Sequence, residues 1–205
     1  MGLRGRAMTA KVVRIRKAAD RDAAWSDEAV AHACVSGDPA AVAELFDRFH
    51  GRVTRYLTRA IGDGPDVDDV LQATFLEIAR GNSRFDGRSA VCTWLLGIAT
   101  NAARHHVRSA SRRRGLLEAV THATTGSSAP GTAETVDARL ALRRAQQVLD
   151  ALSSDQRMAF VLCELEGMRA EEAARMLGTT ESAVWKRVSD ARKAMRHALG
   201  EGAPE

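Results

Sequence analysis

From Thr121 to Ala133 the chain reads Thr-His-Ala-Thr-Thr-Gly-Ser-Ser-Ala-Pro-Gly-Thr-Ala. A run of small and polar residues like this buries too little surface to build a core, so residues 115–137 read as a flexible linker. Whatever folds must do so on either side of it. The expected division is a basic, flexible arm at 1–25, a first domain at 26–114, a second at 138–199 and a short tail at 200–205.

Both flanking stretches carry the three-and-four spacing of apolar residues that marks amphipathic helices. Ser26 is placed to cap a short helix reaching about Ser36. Asp38-Pro39 opens the next, with an acid at the N-cap and proline at the first helical position. Val42, Leu45, Phe46, Phe49, Val53, Tyr56 and Leu57 then form one stripe, until Gly62-Asp63-Gly64-Pro65 stops the helix. A third helix, to about Arg80, turns Val67, Val70, Leu71, Phe75 and Ile78 inward. Gly81 to Ser89 is a polar loop. A long helix from about Ala90 to Arg114 places Val91, Trp94, Leu95, Ile98 and Ala102 on its core side.

The second domain begins with a helix over Ala138–Leu152. Ser153-Ser154-Asp155 caps another, which carries Met158, Val161, Leu162 and Leu165 inward and ends at Gly167. A short helix, Ala170 to Leu177, stops at Gly178, and a last one runs from near Thr180 to about Leu199. A short helix, a glycine-ended turn and a longer basic helix make the helix-turn-helix pattern. The fold class expected is therefore all-α, two small helical domains.

Composition narrows the function. Of 205 residues 45% are hydrophobic, enough for folded cores, yet only 4% are aromatic and four are proline, which suits helices. No apolar run approaches the roughly 20 residues of a membrane helix, so no membrane insertion is expected. The basic start lacks the apolar segment of a secretory signal. Cys34, Cys92 and Cys163 are odd in number and far apart, which fits neither a disulfide framework nor a zinc knuckle and suits a reducing cytoplasm. No metal-ligand spacing, phosphate-binding glycine loop, nucleophile-base grouping or carboxylate pair is found, so the chain is expected to be no enzyme and to need no cofactor.

Charge is uneven along a chain whose net value is only +4. Between Asp63 and Glu77 every charge is acidic: Asp63, Asp66, Asp68, Asp69 and Glu77. Between Arg104 and Arg114 every charge is basic: Arg104, Arg108, Arg112, Arg113 and Arg114, with His105 and His106 among them. With no acid inside that run, bound phosphate would relieve its self-repulsion. The acidic turn has two readings. Acids in a first helical turn are favoured by the helix dipole, or they meet a basic protein partner. On the last helix Glu181, Ser182, Trp185 and Lys186 are placed to reach base edges, with Arg187 and Arg192 better placed for phosphate. Trp94 reads as core or as a stacking platform.

Taken together these segments resemble the bacterial RNA polymerase sigma factors of the sigma-70 family, in their small extracytoplasmic-function form. Asp68-Asp69-Val70-Leu71-Gln72-Ala73-Thr74-Phe75-Leu76 is similar to region 2.2, and Trp94-Leu95-Leu96-Gly97-Ile98-Ala99-Thr100-Asn101-Ala102-Ala103-Arg104 to regions 2.3–2.4. Leu152-Ser153-Ser154-Asp155-Gln156-Arg157 and Glu164-Leu165-Glu166-Gly167-Met168 resemble the opening of region 4. Glu171 to Gly178 and Val184 to Arg192 resemble its helix-turn-helix. The likeness spans about residues 27–114 and 138–199.

The resemblance implies roles. Asp68, Asp69, Gln72 and Phe75 would dock on the clamp helices of the largest polymerase subunit, and the flap of the second largest would meet the second domain. Asn82, Ser83, Arg84 and Phe85 would capture a flipped base of the −10 element, with Asn101, Arg104, Arg108 and Arg112 along that DNA path. Glu181, Ser182, Trp185, Lys186, Arg187 and Arg192 would read the −35 element. An anti-sigma factor is a further implied partner. The chain departs from the family pattern at Ser182-Ala183, at Trp185-Lys186-Arg187 and at Asp190, where a bulky side chain and an acid stand at positions facing DNA. Two other functions remain open to the residues alone: a stand-alone helix-turn-helix regulator, which leaves the acidic turn unexplained, and a helical adaptor that binds only proteins.

Overall fold

A computed structural model describes residues 25–118 and 136–199. The arm, most of the linker and the tail expected from the sequence lie outside the described residues.

Among the described residues eight α-helices follow in chain order: α1 (Asp27–Val35), α2 (Pro39–Ile61), α3 (Asp66–Ala79), α4 (Val91–Glu118), α5 (Val136–Ala151), α6 (Ser154–Phe160), α7 (Ala170–Leu177) and α8 (Glu181–Leu199). Local chemistry sets their ends. The Ser26 hydroxyl accepts from the Ala29 amide, and the Asp38 carboxylate accepts from that of Ala40 ahead of Pro39. Ser153 and Gln156 make a reciprocal capping box at α6. Gly178 takes the left-handed conformation, φ 55°, and ends α7 where a side chain would be strained. Helix α4 runs to Glu118, four residues beyond the expected end of the first domain at Arg114. Beyond α6 the chain widens into a π-helical turn, Val161–Leu165, which periodicity alone did not separate from the helix before it.

In the first domain α2 packs against α1, α3 and α4, and α3 against α4. Leu45, Val53, Tyr56 and Leu57 of α2 meet Ile78 of α3 and Leu95, Leu96 and Ala99 of α4. In the second domain α5, α6 and α7 gather on α8, whose Val184, Val188 and Ala191 are fully buried. The buried residues of the two domains join into one apolar cluster, with Leu149, Phe160 and Ala191 forming a small satellite under α5. Tyr56 and Thr100 are satisfied inside the core by a relay. The phenol donates to Thr100 Oγ1 at 2.7 Å, and that hydroxyl donates to the Leu96 carbonyl at 2.6 Å.

Two expected inward residues face out, and a third is only partly covered. Phe46 is 37% exposed and Leu165 44%, and Leu71 is only half-buried. In the other direction Phe85, in the polar loop, is buried: its ring stands edge-on to His32 at 5.1 Å and tilts against Trp94 at 5.3 Å. Trp94 is thus packed against the core, half-buried.

The thiol of Cys34 is fully enclosed, and burial, with Asp38 nearby, pushes its pKa up to about 11. A two-unit rise leaves about 100-fold less thiolate at pH 8 than a thiol of ordinary pKa. In the native protein Cys34 is therefore expected to react with iodoacetamide at least that much more slowly than after unfolding in guanidinium. Mass spectrometry of tryptic peptides would show this.

Candidate nucleic-acid interface

Helix α3 has two working sides. On one, Val42 and Phe46 of α2 and Leu71, Phe75, Leu76 and Ala79 of α3 line an apolar groove of about 330 Å³, with Asp68 and Gln72 at its rim. Phe75 is mostly buried and forms the floor, edge-on to Phe46 at 4.9 Å, while Phe46 also stacks on His50. Leu76 stands 42% exposed above it. Two large apolar side chains thus stand partly in water beside one groove.

The other side of α3 faces α4 across a cleft of about 500 Å³. Its lining is mixed: Asp69, Glu77, Ser83, Asn101 and His106 among apolar residues such as Val70 and Ile98. Asp68 and Asp69, adjacent in sequence, project about 100° apart on the helix and so serve different surfaces. Asp69 lies in the cleft, where the sequence reading had grouped it with Gln72. His106 reaches Asp66 at 3.1 Å across the cleft mouth.

The cleft brings together part of the residues expected on the −10 path. Ser83 and Asn101 line it, and Asn82 donates to Glu77 at 3.3 Å on its wall. Arg84, Arg108 and Arg112 are exposed. Phe85 departs from expectation: it is turned inward to anchor the loop and offers no face to a base. Arg104 also departs. Its guanidinium donates to the Met176 carbonyl at 3.4 Å and lies against Gly178 at the end of α7. Burial and the neighbouring Arg108 lower its pKa, with Arg187 adding to the effect and Asp155 opposing it.

The turn between α7 and α8 is fixed by Gly178 and by the Thr180 hydroxyl, which accepts from the Ala183 amide at 3.3 Å. With Val184 and Val188 buried, Glu181, Ser182, Trp185 and Lys186 are left on the outer face of α8. Trp185 is 51% exposed and its indole N–H donates to Glu181 at 3.3 Å. Lys186 pairs with Asp190 at 2.9 Å. The two arginines expected to hold phosphate are paired with acids of their own domain, Arg187 with Asp155 and Arg192 with Glu164, each at 2.7 Å. Exposed pairs of this kind are weak. Among the described residues no cluster of His, Cys, Asp and Glu could hold a metal ion, and no helix is long and apolar enough to cross a membrane.

The sequence reading missed Phe46 and Leu76 as surface residues. Leu76 was legible in principle, being an apolar position off the inward stripe of α3 and so without a place in the core.

A helical domain with an apolar groove and a polar cleft, packed on a helix-turn-helix domain, has the architecture of a DNA-binding protein. Residues 45–113 match Sigma-70 region 2, and residues 142–195 match Sigma-70, region 4. The RNA polymerase sigma factor NccH of Alcaligenes xylosoxydans xylosoxydans is 36% identical over 81% of this chain and 90% of its own length. The extracytoplasmic-function (ECF) sigma factor SigM of Mycobacterium tuberculosis is 34% identical over 85% of each chain. Among solved structures, the sigma factor RpoE in complex with the anti-sigma factor NepR from Bartonella quintana superposes with a TM-score of 0.63, at 22% identity, over 77% of this chain and 96% of that one. CnrH, in complex with the cytosolic domain of CnrY, gives 0.57 at 28% identity over 86% of this chain and 99% of that one. The chain belongs to the sigma-70 family, in its ECF branch. It is a factor of promoter-specific transcription initiation by RNA polymerase, in a family of non-enzymatic proteins.

Proposed function

We propose that the chain docks on core RNA polymerase through the α2–α3 groove, opens the −10 element at the α3–α4 cleft and reads the −35 element with α8. The observation that carries this reading is the two-sidedness of α3: an apolar groove for a protein lies back to back with a polar cleft large enough for a base. Leu76 and Phe46 would seat against the polymerase clamp helices, with Asp68 and Gln72 contacting their polar edge. Ser83 and Asn101 would hydrogen-bond an unstacked base, and exposed Arg108 and Arg112 would hold the adjacent phosphates. Phe85 supports the loop from beneath. Melting needs no chemistry: unstacking costs a few kcal/mol per step, and capture of the freed base returns it.

In the second domain Trp185, with Glu181 and Ser182, is proposed to face the bases of the −35 element. Arg187 and Arg192 would exchange their carboxylates for phosphate. The domain bounds proposed are 26–118 and 136–199, with the segment between them as the connection. The factor would work beside polymerase in the cytoplasm. An anti-sigma factor is proposed to cover the same α2–α3 groove, since the similar factor RpoE was solved with the anti-sigma factor NepR.

Run-off transcription with purified core polymerase on promoters of the native genome tests the reading. New start sites that depend on the chain are expected. Their absence, together with no co-elution with core, would overturn it. Asn101→Ala is expected to lower those transcripts about tenfold, the value of one good base contact, with co-elution unchanged.

A further inference from the structure

On the first two turns of α8 the polar side chains are already engaged within the protein. The Ser182 hydroxyl shares a hydrogen bond with that of Thr180 at 3.1 Å. Lys186 is held by Asp190 at 2.9 Å and Arg187 by Asp155 at 2.7 Å. The Glu181 carboxylate accepts the indole N–H of Trp185 at 3.3 Å. What remains unengaged is the flat apolar face of that indole. Trp185, 51% exposed, is the most exposed large apolar residue among the described ones.

The place of the ring is set by its neighbours. Val184 and Val188 are fully enclosed and hold this stretch of α8 against the core, so Trp185 is kept outward. Ser182, three residues before it, and Ser189, four after, share its face and are small. Glu181, one turn earlier, anchors the nitrogen edge of the ring. Helical side chains lean towards the N-terminus of their helix. Trp185 therefore projects over the opening turn of α8, the part of a recognition helix that meets base edges.

An indole has a single donor and no acceptor. With that donor given to Glu181, Trp185 can read neither the acceptors of guanine nor the amino groups of adenine and cytosine. The one apolar mark that a base pair shows in the major groove is the C5 methyl of thymine. We infer that Trp185 is a specificity-determining residue that packs its indole face on a thymine methyl of the −35 element, with Glu181 as the positioning residue that holds the ring. This deepens the proposed function and rests on it for the placement of α8 in the groove. The exposed cations of α8, Lys186, Arg192 and Lys193, attract duplex of any sequence and supply no such preference.

Removing the methyl and nothing else tests the assignment. The full chain selects binders from two pools of random duplex, one made with thymine and one with uracil, which pairs alike but lacks the methyl. Wild type is expected to enrich a thymine position from the first pool and no matching position from the second. On the selected duplex, uracil in place of that thymine should weaken binding about fourfold, the value of one buried methyl. The ratio should hold at low and high salt, because both duplexes offer the same phosphates. Trp185→Ala should bring the ratio to about one while the chain stays folded by circular dichroism. Glu181→Ala should lower the ratio, and Glu181→Gln, whose amide oxygen still accepts the indole N–H, should keep it. Equal binding of thymine and uracil duplexes by wild type would overturn the inference, and so would a ratio that survives Trp185→Ala. Loss of affinity for both duplexes alike in Trp185→Ala would make the ring a general contact and overturn it too, as would enrichment from neither pool. Chain-dependent start sites in run-off transcription would leave the proposed function standing beside any of these failures.

Discussion

Leu76→Asp is expected to abolish co-elution with core RNA polymerase, and with it all factor-dependent transcription, while the chain stays folded. Leu76 is 42% exposed in the free protein, so replacing it removes little buried surface and should change stability by no more than about 0.5 kcal/mol. Once the groove is covered the side chain is surrounded by Phe46, Phe75 and Leu71 on its own side and by the partner on the other. A carboxylate there loses its water without gaining a cation. Central apolar anchors of an interface cost about 2–4 kcal/mol when lost, and a buried unpaired charge costs more. At 1.4 kcal/mol per tenfold, affinity should fall about 30-fold to a thousandfold. Gel filtration with core would read the loss, and an unaltered circular dichroism melt would show that it is not unfolding. Asp69→Ala makes the control, because Asp69 lines the opposite cleft: it should leave co-elution intact. Retained binding by Leu76→Asp would move the docking surface elsewhere.

The contrast between Leu76 and Asp69 shows what the sequence could and could not give. Helix ends were legible because they are chemical and local. Ser26, Asp38-Pro39, Ser153 and Gly178 each act within one turn, and each boundary they imply is found. The inward stripes of α2 and α4 were legible for the same reason, as a helix repeats its own geometry. A stripe does not say what covers it, however. Phe46 satisfies the period of α2 as well as Leu45 does, yet one faces the groove and the other the core. Phe85 failed in the opposite sense. Its polar neighbours suggest exposure, and only the approach of His32 and Trp94 from distant helices buries it.

The contact between the two domains was the least legible feature. Arg157 reads as an ordinary surface residue of a capped helix, since its burial depends on the end of α2, nearly 100 residues earlier. Arg104 belongs to a basic run whose composition points to phosphate, and nothing local indicates that one member would cap α7. Long-range charge pairing of this kind has no period and no local motif, so it appears only when the helices are packed.

Val188→Asp is expected to unfold the second domain and leave the first standing. Val188 is fully enclosed on α8, next to Val184 and Ala191, on the face against which α6 and α7 pack. Among the described residues the charges of α8 are already engaged or solvent-facing: Lys186 with Asp190, Arg187 with Asp155, Arg192 with Glu164. A carboxylate at 188 would thus be buried without a partner, at about 3–5 kcal/mol, a large fraction of what holds a small domain. The apolar cluster is continuous across the contact between the two domains, so some loss must reach α2 and α4. The first domain nevertheless keeps Leu45, Tyr56, Leu57, Ile78 and Leu95 enclosed among its own helices, and the Tyr56–Thr100 relay lies wholly within it. Circular dichroism should show helix content falling by the share of α5–α8, with the remainder melting cooperatively. Because the α2–α3 groove is untouched, the variant should still co-elute with core polymerase but fail at promoters that depend on a −35 element. Loss of all helical signal would show instead that the shared core makes the two domains a single cooperative unit.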